Sequence, residues 1–556
     1  MEGKFRLLLV GAAAGVAFAL AGIAYGTGTN AKASDTLVFG AAADPVLLDP
    51  ALISDGESLR DTGQMFESLT GYKPGTTKIE PKLATSWTVS KNGLSYTFNL
   101  RTGVTFHDGT KFDAAAVCFN YDRWYNFPAP LQNSSVSYYY NTVFGGFAHP
   151  AKGNPGPAKA LYKSCKAMGT SKVQINLRHP SGSFLNTIAL PNFAISSPTA
   201  LKKYKADAGT TDSQGVFHPS GSFATQHPVG TGPYMLESWQ PGNRLVLTRY
   251  DKYWGHKAIL KRIIFRPIAD NAARLQALQS GEIQAYDNVA PEDFGTIKGN
   301  SKLKLLSRPV NAVGYVGINQ AIKPMDNPQV RQAIAYGLDR QGVVGAFYGG
   351  QGKVANQFLP PGLDGFVTKG LPSYPYNPDK AKSLLKQAGV DMPLKIDFWY
   401  PTSVSRPYMP DPKKNAEAFA ASLEKSGFSV TFHSAPWRPD YLATTQAGKA
   451  EVYLLGWIAD YFDPADFLNV HFGAYNTQFG FKDDALFKLL AKADATSNAD
   501  ARAGLFQQAG IAVMKSLPVV PYVWASSPVA TTANVSGYIP SPIGPPAEPL
   551  ALVKIS

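Results

Sequence analysis

Three aspartates recur at every third position in the stretch GWIADYFDPADFL, residues 456–468. They are Asp460, Asp463 and Asp466, and aromatic side chains stand between them. Carboxylates at this density could ligate a metal ion, form a catalytic acid pair or bind a positively charged ligand. The stretch lacks the D-x-[DN]-x-[DN]-G-x₅-E pattern of a calcium loop. A catalytic pair would need a second carboxylate in a separate environment, and the sequence leaves that alternative open.

Helix capping accounts for two of these aspartates. An Asn or Asp followed by Pro opens a predicted helix at residues 327–328, 377–378 and 463–464. In each pair the first side chain can accept a helix N–H at the N-cap, and Pro suits the next position, where the missing donor costs nothing. Asp463 is therefore predicted as an N-cap, and Asp466 in the first turn, facing the positive end of the helix dipole.

Asp460 has no such structural explanation. It follows the apolar run 452–458, which is predicted to be a buried strand, and it is flanked by Trp457 and Tyr461. A partly buried carboxylate at a strand end needs a cationic partner. We therefore expect Asp460 at the mouth of a cleft, where it would bind a positively charged group.

No catalytic signature supports an enzyme. The sequence lacks G-x-S-x-G, H-E-x-x-H, G-x-x-x-x-G-K-[ST] and G-x-G-x-x-G, and its eight histidines are scattered. Two cysteines without a nearby histidine do not form a zinc site. We therefore expect no catalytic residues, no metal site and no cofactor.

The chain of 556 residues is too long for one hydrophobic core, which predicts at least two domains. Residues 145–160 and 206–231 are rich in Gly, Pro, Ser and Ala and are predicted to be long surface loops. Predicted strands at residues 36–40, 94–101, 173–179 and 244–250 are interleaved with predicted helices. This alternation predicts an α/β protein with mixed sheets.

The first residues have the pattern of an export signal. Lys4 and Arg6 precede the uncharged stretch 7–24, and residues 31–33 form an A-x-A cleavage site. We expect a signal peptide at residues 1–33, with an uncleaved membrane anchor as the alternative. Because no cysteine lies near the cleavage site, we expect a periplasmic or extracytoplasmic cell-surface protein without a lipid anchor.

The two cysteines, Cys118 and Cys165, predict a disulfide, because an even pair in an exported protein usually forms one. Two buried free thiols are the alternative. The formal net charge is +13, but the basic residues are scattered and are densest only at residues 202–205. Since a nucleic-acid binder needs a basic stripe with interleaved aromatic residues, we expect no nucleic-acid partner.

Six segments together resemble the family 5 extracellular solute-binding proteins of ABC importers, the oligopeptide- and dipeptide-binding type. They occur in the family's order and span nearly the whole chain after the signal. The segments are FNLRTGVTFHDGTKFDAAAVCFNYDR (98–123), GTGPY (230–234), RYDKYWG (249–255), DNPQVRQAIAYGLDR (326–340), YNPDKAKSLLKQAG (376–389) and GWIADYFDPADFL (456–468).

The resemblance implies a two-lobed α/β fold, periplasmic-binding-protein-like (class II, cluster C), with an extra domain inserted in the first lobe. The chain would cross between the lobes near residues 308–311 and 525. Lobe I would comprise residues 34–66, 192–309 and 526–556, the extra domain residues 67–191, and lobe II residues 310–525.

The resemblance also implies a ligand site between the lobes. In peptide-binding members the aspartate of the ADY step, here Asp460, pairs with the ligand's α-ammonium. Some oligopeptide binders carry an arginine where this chain has Leu454, so the partner of the ligand carboxylate is unassigned. The other expected ligand-binding residues are Trp457, Trp437, Tyr461, Ser54, Asp55, Gly56 and Tyr140, with Tyr139 as an alternative to Tyr140.

The function implied is that of a receptor, a monomer that closes around a short peptide and delivers it to the membrane permease and ATPase complex of an ABC importer. Within this class the ligand could instead be an oligosaccharide stacked on Trp437 and Trp457, a nickel chelate or another small solute. From a different class, an exported hydrolase of peptides or glycans could use Asp460 with Asp55 across the cleft.

Overall fold

The computed structural model describes residues 35–133, 135–212 and 215–556. The predicted signal peptide, residues 1–33, lies outside the described residues. Strands and helices are interleaved along the chain and build two large mixed sheets, in agreement with the predicted α/β class. Among the described helices, none is both long and apolar enough to cross a lipid bilayer.

A seven-stranded sheet is built mainly by the first half of the chain. Its central strand, Thr36–Ala41, is parallel to Arg262–Pro267 on one side and to Ala285–Asp287 on the other. Val529–Thr532 reaches this sheet from near the C-terminus, so both ends of the chain contribute to it. In spatial order the strands are Tyr234–Gln240, Arg244–Arg249, Arg262–Pro267, Thr36–Ala41, Ala285–Asp287, Val529–Thr532 and Leu303–Leu306.

A six-stranded sheet is built by the second half of the chain. Ala312–Ile318 lies near its centre between two antiparallel neighbours, and its residues are all buried because both faces of the sheet are covered. A Cβ at Gly456 would collide with the ring of Tyr408, so the loop carrying Tyr408 packs directly on this sheet. In spatial order the strands are Lys353–Val354, Val519–Ala525, Ala312–Ile318, Val452–Ile458, Leu394–Thr402 and Phe428–Pro436.

The chain crosses between the two large sheets at residues 307–311 and again at 526–528. Hydrogen bonds join the two crossings side by side. Arg308 Nη1 donates to the carbonyl of Ser527 at 2.9 Å, and Ser526 Oγ donates to the carbonyl of Arg308 at 2.7 Å. The Arg308 guanidinium also forms a buried ion pair with Glu548 at 2.6 Å, which fixes the first crossing to the side of the seven-stranded sheet.

A smaller antiparallel sheet lies in the segment between residues 67 and 191. Its core is rich in aromatic side chains, among them Tyr121, Trp124 and Phe144. A disulfide between Cys118 and Cys165 ties the helix Ala114–Tyr125 to the sheet. The four strands, in spatial order, are Ala84–Val89, Ser95–Leu100, Lys172–Leu177 and Tyr162–Ala167.

The helices begin where the sequence places capping side chains. The three predicted Asn-Pro and Asp-Pro starts are confirmed, since Asn327, Asn377 and Asp463 each accept a backbone N–H at the N-cap. The α-helices are Gly56–Met65, Ala114–Tyr125, Tyr138–Phe144, Phe184–Thr187, Pro198–Lys203, Asn271–Ser280, Phe294–Lys298, Pro328–Gly337, Arg340–Phe347, Pro378–Gln387, Pro412–Lys425, Leu442–Gln446, Pro464–Phe472, Asp484–Ala495 and Ala499–Ser516.

Three short antiparallel strand pairs complete the described part of the fold, and one of them corrects a prediction. The segment 206–231, expected to be a loop, contains a short antiparallel strand pair, and Gly215 before its second strand has a φ of 82°, in the left-handed region that favours glycine. The strand pairs are Thr70–Tyr72 with Ile79–Pro81, Gly209–Thr211 with Phe217–Pro219, and Val535–Ser536 with Lys554–Ile555.

Candidate functional site

Asp460 follows the strand Val452–Ile458 and faces the aromatic segment that carries the small sheet. Two hydroxyl groups from the helix Tyr138–Phe144 reach its carboxylate. Tyr139 Oη donates to Oδ1 at 3.1 Å, and Tyr138 Oη donates to Oδ2 at 3.5 Å. Asp460 therefore lies at a contact between two separate parts of the fold.

The carboxylate of Asp460 stands apart from the ion pairs that the described residues form. Within the described part of the chain, no Lys, Arg or His forms an ion pair with it. Burial raises the pKa of Asp460 to about 6, although the hydrogen bonds from Tyr139 and Tyr138 act in the opposite direction. A cation brought by a ligand would stabilise the ionised form of such a buried carboxylate.

Asp463 contrasts with Asp460 because the protein satisfies it completely. It caps its helix through the N–H of Ala465 at 2.9 Å, as predicted. Arg502 also binds it with two guanidinium nitrogens, at 2.9 and 2.7 Å, and Asn186 Nδ2 donates to it at 2.8 Å. The sequence did not indicate either partner. Asp463 therefore has a structural role, and both of its carboxylate oxygens are already hydrogen-bonded within the protein.

Asp466 positions Asp460. It lies in the first helical turn, as predicted, but its Oδ2 accepts the backbone N–H of Asp460 at 2.9 Å and the indole N–H of Trp457 at 3.3 Å. Burial, followed by the charge of Asp460, raises the pKa of Asp466 well above its ordinary value. Asp466 thus holds the turn that presents the Asp460 carboxylate.

The two predicted tryptophans lie in the apolar cluster under this turn. The Trp457 ring packs edge-on against His471, with 4.8 Å between ring centroids. Trp437 stacks on Tyr441 at 6.1 Å, and its buried Nε1 has no hydrogen-bond partner within the described residues. Trp437 therefore keeps a donor available for a ligand.

Arg406 was not predicted from the sequence. Its guanidinium lies over the ring of Trp437, with 5.1 Å between the guanidinium carbon and the ring centroid. Two backbone hydrogen bonds between Arg406 and Met409, at 3.1 and 2.8 Å, close the turn that carries it. Its Nε is buried without a partner in the described regions. The two prolines of the segment SRPYMP, residues 405–410, indicate a turn, but nothing in the sequence indicates that this turn packs on Trp437.

A cavity of about 330 Å³ separates the two large sheets beside this arginine. Arg406 and Ile458 line it from the side of the six-stranded sheet, and Arg274 and Asn288 line it from the opposite side. Ile458 is only two residues before Asp460. The cavity therefore lies close, along the chain, to the turn that carries Asp460.

The remaining predicted ligand-binding residues form no hydrogen bond with Asp460 among the described contacts. Asp55 caps the helix Gly56–Met65 by accepting the N–H of Ser58 at 2.8 Å, while Ser54 and Gly56 are exposed at its start. Tyr461 is buried in the aromatic core of the small-sheet segment.

The structure does not place Tyr140 at the site. Tyr140 points into the core of its own segment and donates its hydroxyl to the carbonyl of Gly146 at 2.9 Å. The adjacent positions, Tyr138 and Tyr139, contact Asp460 instead. One residue changes the face of a helix by about 100°, which a loose sequence resemblance does not resolve.

A larger cavity, of about 360 Å³, lies elsewhere and is lined by the buried carboxylate Glu67. Three donors satisfy Glu67: Tyr253 Oη and Trp254 Nε1, both at 2.7 Å, and Thr231 Oγ1 at 2.9 Å. Because the protein supplies all of these bonds, Glu67 has less need of a ligand than Asp460 has. The region around Asp460 is therefore the better candidate site.

A two-lobed α/β fold with a cavity between its two large sheets is typical of a solute-binding receptor. Residues 78–479 match the family model described as bacterial extracellular solute-binding proteins, family 5 middle. The chain belongs to this family, as the resemblance predicted.

Two curated relatives illustrate the range of the family. The dipeptide-binding protein of Escherichia coli (strain K12) is 30% identical, with 92% of this chain and 93% of the relative covered. Heme-binding protein A of Haemophilus influenzae is 31% identical, with 93% and 92% covered. Both relatives are named as binding proteins.

Solved structures confirm the predicted fold class. HbpA2 from Haemophilus parasuis has a TM-score of 0.81 at 28% identity, with 94% of this chain and 100% of that chain covered. The periplasmic binding protein DppA from Helicobacter pylori, in complex with the peptide STSA, has a TM-score of 0.74 at 29% identity, with 94% and 98% covered.

Proposed function

We propose that this protein is an extracytoplasmic receptor that captures short peptides for an ABC importer, with Asp460 as the partner of the peptide's α-ammonium group. The observation that carries the proposal is the buried carboxylate of Asp460, which tyrosine hydroxyls contact and which no Lys, Arg or His of the described residues pairs with. An ammonium group would supply both the missing charge and additional hydrogen-bond donors.

Arg406 would hold the other end of the peptide. Its guanidinium stacks on Trp437, and its Nε is unpaired among the described atoms, so it can offer the planar fork that suits a carboxylate. With Asp460 and Arg406 on the same lobe, a short peptide would be bound at both ends before the lobes close. This arrangement replaces the arginine that the chain lacks at Leu454.

We further propose that capture proceeds by lobe closure without covalent chemistry. The lobes would be residues 34–66, 192–309 and 526–556 against residues 310–525, with residues 67–191 as the inserted domain. The contacts of Tyr138 and Tyr139 with Asp460 would form part of the closed interface, and the paired crossings at 307–311 and 526–528 would be the hinge. The closed monomer would then be recognised by the membrane permease and ATPase complex.

An uncharged oligosaccharide is the second candidate ligand. The buried indole N–H of Trp437 without a partner among the described atoms favours it, because such a donor can bind a sugar hydroxyl. The comparisons do not choose between ligand classes, since relatives with nearly equal identity are named for dipeptides and for heme.

The deciding experiment is native mass spectrometry of the protein purified without denaturant, followed by identification of the molecules released on unfolding. A ladder of short peptides with free amino termini is expected. Calorimetry with Ala-Ala and with N-acetyl-Ala-Ala then tests the anchor, because acetylation removes the ammonium charge. A sugar or other non-peptide mass would refute the peptide ligand, and equal affinity for the two dipeptides would refute the ammonium contact of Asp460.

A further inference from the structure

The cavity between the sheets has an unbalanced set of charges. Its lining contains two guanidinium groups, Arg274 and Arg406, and no aspartate or glutamate. The two arginines come from opposite sides of the cavity, because Arg274 belongs to the helix Asn271–Ser280 and Arg406 to the turn over Trp437. A cavity of this kind favours an anionic occupant.

Arg274 is buried, with 3% of its surface exposed, and its polar contacts are to neutral groups. Nη1 donates to the carbonyls of Ile268 and Ala269 at 2.6 and 3.0 Å, and Nη2 donates to the side-chain oxygen of Asn271. Its Nε is buried and unpaired in the described chain. Burial lowers the pKa of Arg274, and the charge of Asp287 opposes this shift.

Asp287 does not neutralise Arg274 at short range. It pairs with Arg60 at 2.9 Å and approaches Arg308 at 3.6 Å, and no ion pair of the described residues includes Arg274. Arg274 therefore retains a positive charge that faces the cavity without a carboxylate in contact. A buried cation in this state gains from any anion that a ligand brings.

Uncharged polar groups complete the lining. Asn288 and Gln351 carry amides that form no side-chain hydrogen bond with other described residues. Asn288 has a φ of 56°, in the left-handed region that Asn tolerates better than most residues. The cavity thus combines two cations with adaptable donors.

We propose that this cavity is a subsite for a second anionic group of the ligand, so that the protein prefers peptides with an acidic side chain next to the terminal carboxylate. The proposal rests on the proposed function. Ile458 lines the cavity two residues before Asp460, which places the two within roughly 7 Å along the chain. A dipeptide anchored at Asp460 can therefore place its second side chain in the cavity.

The test compares the dipeptides Ala-Glu and Ala-Gln by calorimetry at neutral pH, because they differ by one charge at nearly equal size. We expect the wild-type protein to bind Ala-Glu about tenfold more tightly, since hydrogen bonds to charged groups exceed neutral ones by roughly this factor. In Arg274→Gln the ratio of the two dissociation constants should fall to near one.

A second variant tests the same proposal independently, in case Arg274→Gln does not fold. Gln351→Glu is nearly isosteric and places a carboxylate in the cavity, so it should also bring the ratio to near one. Gln387→Glu, at the end of the exposed face of the helix Pro378–Gln387, makes the same change outside the cavity and should leave the ratio unchanged.

The outcomes separate this inference from the proposed function. Equal affinity of the wild-type protein for Ala-Glu and Ala-Gln would overturn the anionic subsite and leave the peptide receptor intact. A preference for Ala-Glu that survives in Gln351→Glu would also overturn it, because the acidic group would then bind elsewhere. Failure of both dipeptides to bind would refute the proposed function itself.

Discussion

Asp466 Oδ2 accepts the backbone N–H of Asp460 at 2.9 Å, so one buried carboxylate fixes the turn that presents another. The same oxygen accepts the indole N–H of Trp457 at 3.3 Å. Two acidic side chains at this spacing repel each other when both are charged, and the pKa of Asp466 is raised in part for that reason.

Asp466→Ala should lower the free energy of unfolding by about 1–3 kcal/mol, because it leaves two buried N–H donors without an acceptor. Asp466→Asn should cost much less, since its amide oxygen can replace Oδ2 and burial favours the neutral side chain. Denaturant unfolding of both variants measures the difference. Equal losses for Ala and Asn would show that the acceptor oxygen is not what stabilises the turn.

Asp460→Ala should weaken the binding of a dipeptide by about 2–4 kcal/mol, the scale for removing one partner of a buried charge pair. Titration calorimetry at neutral pH measures it. Asp484→Ala provides the control, because Asp484 is an exposed aspartate in the first turn of the helix Asp484–Ala495. Unchanged affinity in Asp460→Ala would exclude Asp460 as the ammonium anchor.

Peptide affinity should also depend on pH. The pKa of Asp460 is raised to about 6 in the ligand-free protein, and only the ionised carboxylate attracts an ammonium group. The dissociation constant should therefore rise as the pH falls through about 6, approaching a tenfold change per pH unit below it. In Asp460→Asn this dependence between pH 5 and 7 should disappear, and a dependence that persists would have to come from another group.

The stability of the ligand-free protein should change with pH in the opposite sense. Because the folded-state pKa of Asp460 lies above its ordinary value, the folded protein binds more protons than the unfolded chain between about pH 4 and 6. The free energy of unfolding is highest at low pH and falls as the pH rises through about 6, by on the order of 3 kcal/mol in total from this group. Denaturant unfolding at pH 4 and pH 8, for wild type and Asp460→Asn, measures most of this contribution as a difference.

The sequence predicted the local features of the site and missed its long-range partners. The N-cap role of Asp463 follows from its neighbours, whereas its pairing with Arg502, 39 residues away, depends on how two helices pack. Arg406 likewise reaches the site only because its turn packs on the six-stranded sheet. Local propensity carries no information on such contacts, so these residues were found only in the folded structure.

The disulfide should stabilise the inserted segment without affecting the ligand site. Cys118 and Cys165 are 47 residues apart, and the chain-entropy model assigns about 4 kcal/mol to closing a loop of that length. The double variant Cys118→Ser with Cys165→Ser should lose stability of this order in denaturant unfolding. A reducing agent should destabilise the wild-type protein and have no effect on the double variant, which serves as the control.

Arg406 is predicted to recognise the peptide's terminal carboxylate, and a thermodynamic cycle isolates that contact. Calorimetry compares wild type and Arg406→Gln, each with Ala-Ala and with its C-terminal amide. Removing the ligand charge should weaken binding to the wild-type protein by about 1.5–3 kcal/mol, the range for hydrogen bonds to charged groups, and should have little effect on the variant. The exposed Arg244 provides the matched control, since Arg244→Gln removes the same charge far from the cavity. If the acid and the amide differ as much in Arg406→Gln as in wild type, another group binds the carboxylate, and Arg406 acts only through its stacking on Trp437.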